Sequence, residues 1–150
     1  MAYRPHITDA RQVFSDDEIV GLMPKNFAFV ARLVGVDASL HMIDSYGGTN
    51  IFIPNKHALN IDHEISRVIG FKQLLILSEQ FGNNTIEVPM GSPIVLAMRN
   101  RMIRDMAKRK ESNPKIARKF GVTMRTIRTI VNGEEKLKLN EDKNYDLFAD

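Results

Sequence analysis

The sequence predicts a mainly α protein with a small β component (α+β). A helical dimerisation module carrying two short β-strands from a tandem helix-strand repeat is followed by a C-terminal helix-turn-helix domain. Three observations carry that prediction. Part of the chain repeats itself without a gap at a period of 35 residues. The balance of charge changes sign near residue 98. The twenty residues from Asn113 to Asn132 satisfy the steric demands of two helices meeting at a tight turn.

With 150 residues, 43% hydrophobic and 26% charged, the chain has the composition of a globular protein of one domain or two small ones. It contains no cysteine, which excludes disulfides, thiolate metal sites and cysteine nucleophiles and permits a reducing cytoplasm. The start, Met-Ala-Tyr-Arg-Pro-His, lacks an apolar signal core, and no apolar run is long enough to span a bilayer. The expectation is a cytoplasmic protein without a membrane partner. It divides into an N-terminal arm (1–14), a dimerisation module (15–91), a helix-turn-helix domain (92–133) and an acidic C-terminal tail (134–150).

Residues 1–14 show no periodicity. Ser15-Asp-Asp-Glu18 has the form of a capping box, and Pro24 suits the first turn of a helix bearing Phe27, Val30, Leu33 and Val34. Residues 34–54 then align with residues 69–89, with identities at Gly35/Gly70, Leu40/Leu75, Gly47/Gly82, Ile51/Ile86 and Pro54/Pro89. Such repetition reports one structural unit used twice. Each copy reads as a helix starting after its first glycine and burying Leu40, Ile43 and Tyr46, or Leu74, Leu75, Leu77 and Phe81. Gly47-Gly48 and Gly82-Asn83-Asn84 stop the helices and turn the chain into strands Asn50 to Ile53 and Thr85 to Val88, which Pro54 and Pro89 end. A four-residue strand is not stable alone, so each pairs with the other copy or with a strand of a second subunit. Between the copies, Ala58 to Val68 reads as a helix packing Leu59, Ile61, Ile65 and Val68. His57, Asp62, His63 and Glu64 cluster there, but no third-ligand motif accompanies them, so a surface helix is expected and no metal or other cofactor.

Residues 1–98 carry 7 basic and 10 acidic side chains, residues 99–128 carry 11 and 2, and residues 129–150 carry 3 and 6. A solvated helical face usually mixes both signs, whereas this middle block is suited to a polyanion. From Ser92 a helix carries Ile94, Leu96, Met98, Met102, Ile103 and Met106, with Arg99, Arg101, Arg104, Lys108 and Arg109 on its polar sides. The methionine stripe reads as core at this spacing. Next, Asn113 caps and Pro114 starts a helix whose inner edge is Ile116 and Phe120, Ala117 is small at the crossing, Gly121 supplies the turn and Val122 plugs the corner. Thr123 caps the second helix, with Ile127, Ile130 and Val131 inward.

In such motifs the N-terminal half of the second helix enters the major groove, so Thr123, Met124, Arg125, Thr126, Arg128 and Thr129 are the candidate base readers. Arg125 leads, because a guanidinium forms two bonds to the guanine O6 and N7 edge. Lys115, Arg118, Lys119, Lys108 and Arg109 are the candidate phosphate contacts. The competing readings are a helical hairpin for protein contact, a non-specific architectural DNA binder and a repressor. An enzyme acting on nucleic acid is not expected. Asp105 and Glu111 share no helical face, the tyrosines lie at 3, 46 and 145, and all four histidines precede residue 64. No small-molecule substrate is implied.

Together, Gly70, the run Phe81-Gly-Asn-Asn-Thr-Ile-Glu-Val-Pro89, a helix, and Ile116-Ala-Arg-Lys-Phe-Gly-Val-Thr123 resemble the Mor (middle operon regulator) family of phage and prophage transcription activators. The resemblance covers about residues 69–132, and residues 34–54 match its helix-glycine-strand-proline unit a second time. It implies a bacterial, phage- or prophage-encoded homodimer held by the helix-strand module. Two helix-turn-helices would then read the halves of a dyad in double-stranded DNA, with activation through RNA polymerase. It also implies that the strand and turn before the DNA-binding domain approach DNA, which here are Asn83, Asn84 and Thr85, with Asn50 and Phe52 in the first copy. Glu87 departs from that pattern, since phosphate repels a carboxylate. The duplication departs from the family's simplest form and leaves open whether the copies pair within one chain or between chains. In the tail, Leu147 and Phe148 stand among acids as a candidate partner-docking motif, although most such tails only solvate.

Overall fold

The computed structural model describes residues 2–133. The described residues divide into two compact units, one of residues 6–98 and one of residues 2–5 with 99–133. The predicted tail and its Leu147–Phe148 motif lie outside the described residues.

The first unit opens with a 3-10 turn, Ile7–Asp9, and a short helix α1, Ala10–Val13. The sequence shows no period there because the two pieces are too short to express one. They are held instead by Ile7, Ala10 and Phe14, buried in the first core. Helix α2, Asp16–Gly21, starts at Ser15, whose Oγ accepts the Glu18 N–H while the Glu18 carboxylate accepts the Ser15 N–H, a complete capping box. Pro24 precedes α3, Lys25–Val34, which buries Phe27, Val30 and Val34.

Helix α4, Val36–Tyr46, leads into β1, Asn50–Ile53. The expected helix over 58–68 is instead a 3-10 turn, Lys56–Ala58, followed by a bend and helix α5, Glu64–Ile69. Asn55 and Asn60 explain the break, because their side-chain oxygens accept the N–H groups of His57 and Asp62 and hold the backbone in local turns that compete with a helix. Ile61 accordingly stands exposed at 68% instead of packing. Helix α6, Phe71–Phe81, leads into β2, Asn84–Glu87, one residue earlier than the sequence suggests.

The glycines that stand 35 residues apart in the two copies share backbone geometry. Gly35 and Gly70, each preceding a helix, have φ 97° and 98° with ψ 153° and 148°. Such φ values favour a residue without Cβ. Gly47 and Gly82 end the helices with φ −51° and ψ 132° and 133°. The Gly48 N–H donates to the Val88 carbonyl and the Asn83 N–H to the Ile53 carbonyl, both at 2.9 Å. The two strands pair antiparallel within the chain, Asn50↔Glu87, Ile51↔Ile86, Phe52↔Thr85 and Ile53↔Asn84. Ile51, Ile53, Ile86 and Val88 turn into the core, while Asn50, Phe52, Thr85 and Glu87 face out.

Helix α7, Ser92–Lys108, is continuous, and the division between units falls at Met98/Arg99 inside it, not at Ser92. Ile94 and Met98 belong to the first core and Ile103 and Met106 to the second, which explains why a boundary drawn at the helix start misplaces it. Leu96, counted with the apolar face in sequence, is 52% exposed.

Candidate nucleic-acid interface

The second unit is built on α8, Asn113–Phe120, the turn 121–123, and α9, helical from residue 124 to residue 133. Ser112, not Asn113, stands at the N-cap of α8 with extended φ −68° and ψ 146°, and Asn113 is the first helical residue. Pro114 fills a first-turn position, where no N–H is needed. Gly121 adopts the left-handed φ 67° and ψ 36°, which ends α8 and lets the Val122 N–H reach the Ala117 carbonyl at 3.1 Å. Ile116, Ala117, Phe120 and Ile127 are buried together with Ile103 and Met106, and Val122, Ile130 and Val131 pack half-buried against them.

That packing fixes which side of α9 faces water. Thr123, Met124, Arg125, Arg128 and Thr129 are exposed, whereas Thr126 is half-buried. Thr123 caps α9, its Oγ1 accepting the Thr126 N–H at 3.2 Å and lying 3.0 Å from the Thr126 hydroxyl. The Thr129 hydroxyl donates to the Arg125 carbonyl at 3.0 Å. The threonine hydroxyls are therefore engaged within the chain, and Arg125 and Arg128 carry the long donor groups of this face.

Lys115, Arg118 and Lys119 are exposed on α8, and Lys108 and Arg109 are exposed at the end of α7. Lys115 Nζ lies 3.3 Å from Glu111 Oε1, an ion pair between residues four apart in which the lysine is exposed and the carboxylate half-buried. Lys119 Nζ stands 5.4 Å from the Tyr3 ring centroid.

Tyr3 is a feature that sequence reasoning missed. Its N–H donates to the Lys119 carbonyl at 2.8 Å, and its ring meets Phe120 edge-on at 5.9 Å between centroids. An aromatic in an otherwise aperiodic arm is a trace of this in the sequence. The other expected contacts, Asn50, Phe52, Asn83, Asn84 and Thr85, are exposed on the ribbon and its turn and belong to the first unit. His63, considered as a ligand, caps α5 by accepting the Ile65 N–H at Nδ1. Among the described residues no group of three or more His, Asp or Glu is placed to hold a metal ion, and no helix is long and apolar enough to cross a membrane.

The unit thus presents a cationic surface around a helix whose inner face is locked by packing. The model of the Mor transcription activator family matches residues 55–146 of this chain, a span that takes in α6, β2 and the whole described basic helix pair. The chain belongs to the Mor transcription activator family. Mor proteins regulate transcription and are not an enzyme family, and the exposed cations of α8 and α9 lie within the matched Mor region. No curated protein and no solved structure matches the chain.

Proposed function

We propose that this Mor-family protein is a sequence-specific double-stranded-DNA-binding transcription activator in which residues 113–133 act as a helix-turn-helix. In this reading α8 crosses the sugar-phosphate backbone and the N-terminal half of α9 enters the major groove. Arg125 and Arg128 read base edges. Thr123, Met124, Thr126 and Thr129 contribute contact with thymine methyls more than hydroxyl bonds. Lys108, Arg109, Lys115, Arg118 and Lys119 bind phosphates and set the position on the duplex. The ribbon residues Asn50, Phe52, Asn83, Asn84 and Thr85 form a second set of DNA contacts. Activation proceeds by contact with RNA polymerase in a bacterial cytoplasm, from a phage or prophage gene.

One observation carries this reading. The exposed arginines of α9 stand on a helix whose opposite face, Ile127 above all, is fully buried, so their presentation is fixed before DNA arrives. The test is a binding titration, at fixed salt, with a duplex selected from a random pool. Arg125→Ala is expected to weaken binding to that duplex by about 1–3 kcal/mol, roughly 5- to 150-fold, and to relax specificity at one base pair. Unchanged affinity would sink the recognition model. The engaged threonine hydroxyls favour a second reading, an architectural binder with little base readout. Equal affinity for selected and random duplexes would establish it.

A further inference from the structure

The strand register carries more than the function proposed above. Among the paired residues, Ile51 and Ile86 are the ones that stand both directly opposite each other and one repeat period apart. A local two-fold axis therefore passes through that pair, and it relates the Gly48–Val88 and Asn83–Ile53 hydrogen bonds, which match at 2.9 Å. The same operation relates Gly35 N–H donating to Ala31 with Gly70 N–H donating to Ser66, both at 2.8 Å. This is the isologous arrangement that two identical subunits make across a two-fold axis, built here from one chain. The family match begins at residue 55, immediately after Pro54 ends the first helix-strand copy.

The two copies also differ in a directed way. Inward positions keep their character, Ile51 with Ile86 and Ile53 with Val88, all buried. Outward positions have diverged, Asn50 against Thr85 and Phe52 against Glu87. In a homodimer the two-fold would force each outward pair to be identical. In a single chain each side is free to change, and both outward pairs have.

We infer that the chain is a single-chain counterpart of a two-fold pair. Residues 34–54 occupy the place that a second subunit's helix-strand unit would take, and one chain binds one asymmetric DNA site. The half of this statement that concerns DNA rests on the function proposed above. The half that concerns pairing does not. The strand edges through which two chains would associate in this mode are already joined to each other, and the described residues hold a single basic helix pair to serve the site.

The absence of native cysteine makes the pairing testable in the full chain. The Val88 N–H to Thr49 carbonyl bond sets the alternation of the ladder, which makes Phe52↔Thr85 a non-hydrogen-bonded pair. Such pairs have Cα atoms about 4.5 Å apart, within disulfide reach. The double variant Phe52→Cys/Thr85→Cys, oxidised at low micromolar concentration, is expected to form an intrachain disulfide and remain at single-chain mass on a non-reducing gel. A covalent species of twice that mass, or two free thiols after oxidation, overturns the inference. For the unmodified protein, light scattering is expected to give 17.1 kDa, with one chain bound per selected duplex. A stable dimer, or two chains on a dyad, overturns it as well. A 17.1 kDa monomer that binds no duplex would overturn the proposed function and leave the pairing intact.

Discussion

Single side chains decide the local balance in both units, and Tyr46 shows how. It sits at the end of α4 with its ring half-buried, and its hydroxyl is buried without a hydrogen-bond partner among the described residues. Burial, and then the Glu64 carboxylate, push its pKa above the ordinary value of 10.0. An unsatisfied buried hydroxyl costs stability, so Tyr46→Phe is expected to stabilise the protein by about 1 kcal/mol, read as a higher urea midpoint at neutral pH. The sign of the pH effect follows from the raised pKa. Above 10.0 the unfolded chain has lost the phenol proton while the folded chain keeps it, so wild-type stability falls as pH climbs towards the folded value. The advantage of the phenylalanine variant should therefore widen above pH 10.0. A lower midpoint for Tyr46→Phe would show that the hydroxyl is satisfied after all.

At the scale of elements, the sequence was legible wherever a local rule acts alone. The Ser15–Glu18 capping box, the glycines ending α4 and α6, the left-handed Gly121 and the Thr123 cap all depend on residues within one turn of each other, and all stand in the structure. Legibility failed where a neighbour distant in sequence decides. Ile7 and Ala10 make helical turns of an aperiodic arm because the core receives them. It also failed where two local rules compete, as when Asn55 and Asn60 win the backbone from the apolar spacing of Leu59, Ile61 and Ile65. In the candidate site the inward and outward faces of α9 were readable from spacing, but the loss of the Thr126 hydroxyl to the cap was not. The arm on α8 gives the sharpest prediction at this scale. An aromatic pair contributes about 0.5–1.5 kcal/mol beyond its buried area, so Tyr3→Ala should destabilise by at least that much while Tyr3→Phe, which keeps the ring on Phe120, should not. Identical urea midpoints for the two variants would show that the ring contributes nothing to the fold.

Over the whole molecule the charge is segregated, and segregation of this kind has a measurable consequence. Residues 99–128 hold eleven basic side chains against two acids, while residues 1–98 are net acidic. A protein that neutralises phosphates releases condensed counterions, and its affinity then falls with salt as a power law whose exponent counts the contacts. The five phosphate candidates Lys108, Arg109, Lys115, Arg118 and Lys119 predict a slope of about −4.5 in log K against log salt, near a 500-fold loss between about 50 and 200 mM. Random duplexes should show a similar slope, because phosphates carry no sequence. Replacing Lys115 by Ala should make the slope shallower by about 1, whereas Arg125→Ala should lower affinity for the selected duplex and leave random duplexes nearly unchanged. The two substitutions thereby separate positioning from reading on one surface. A slope near zero for the wild type would mean that the basic block does not meet the backbone, and the placement of α8 across it would fall with that result.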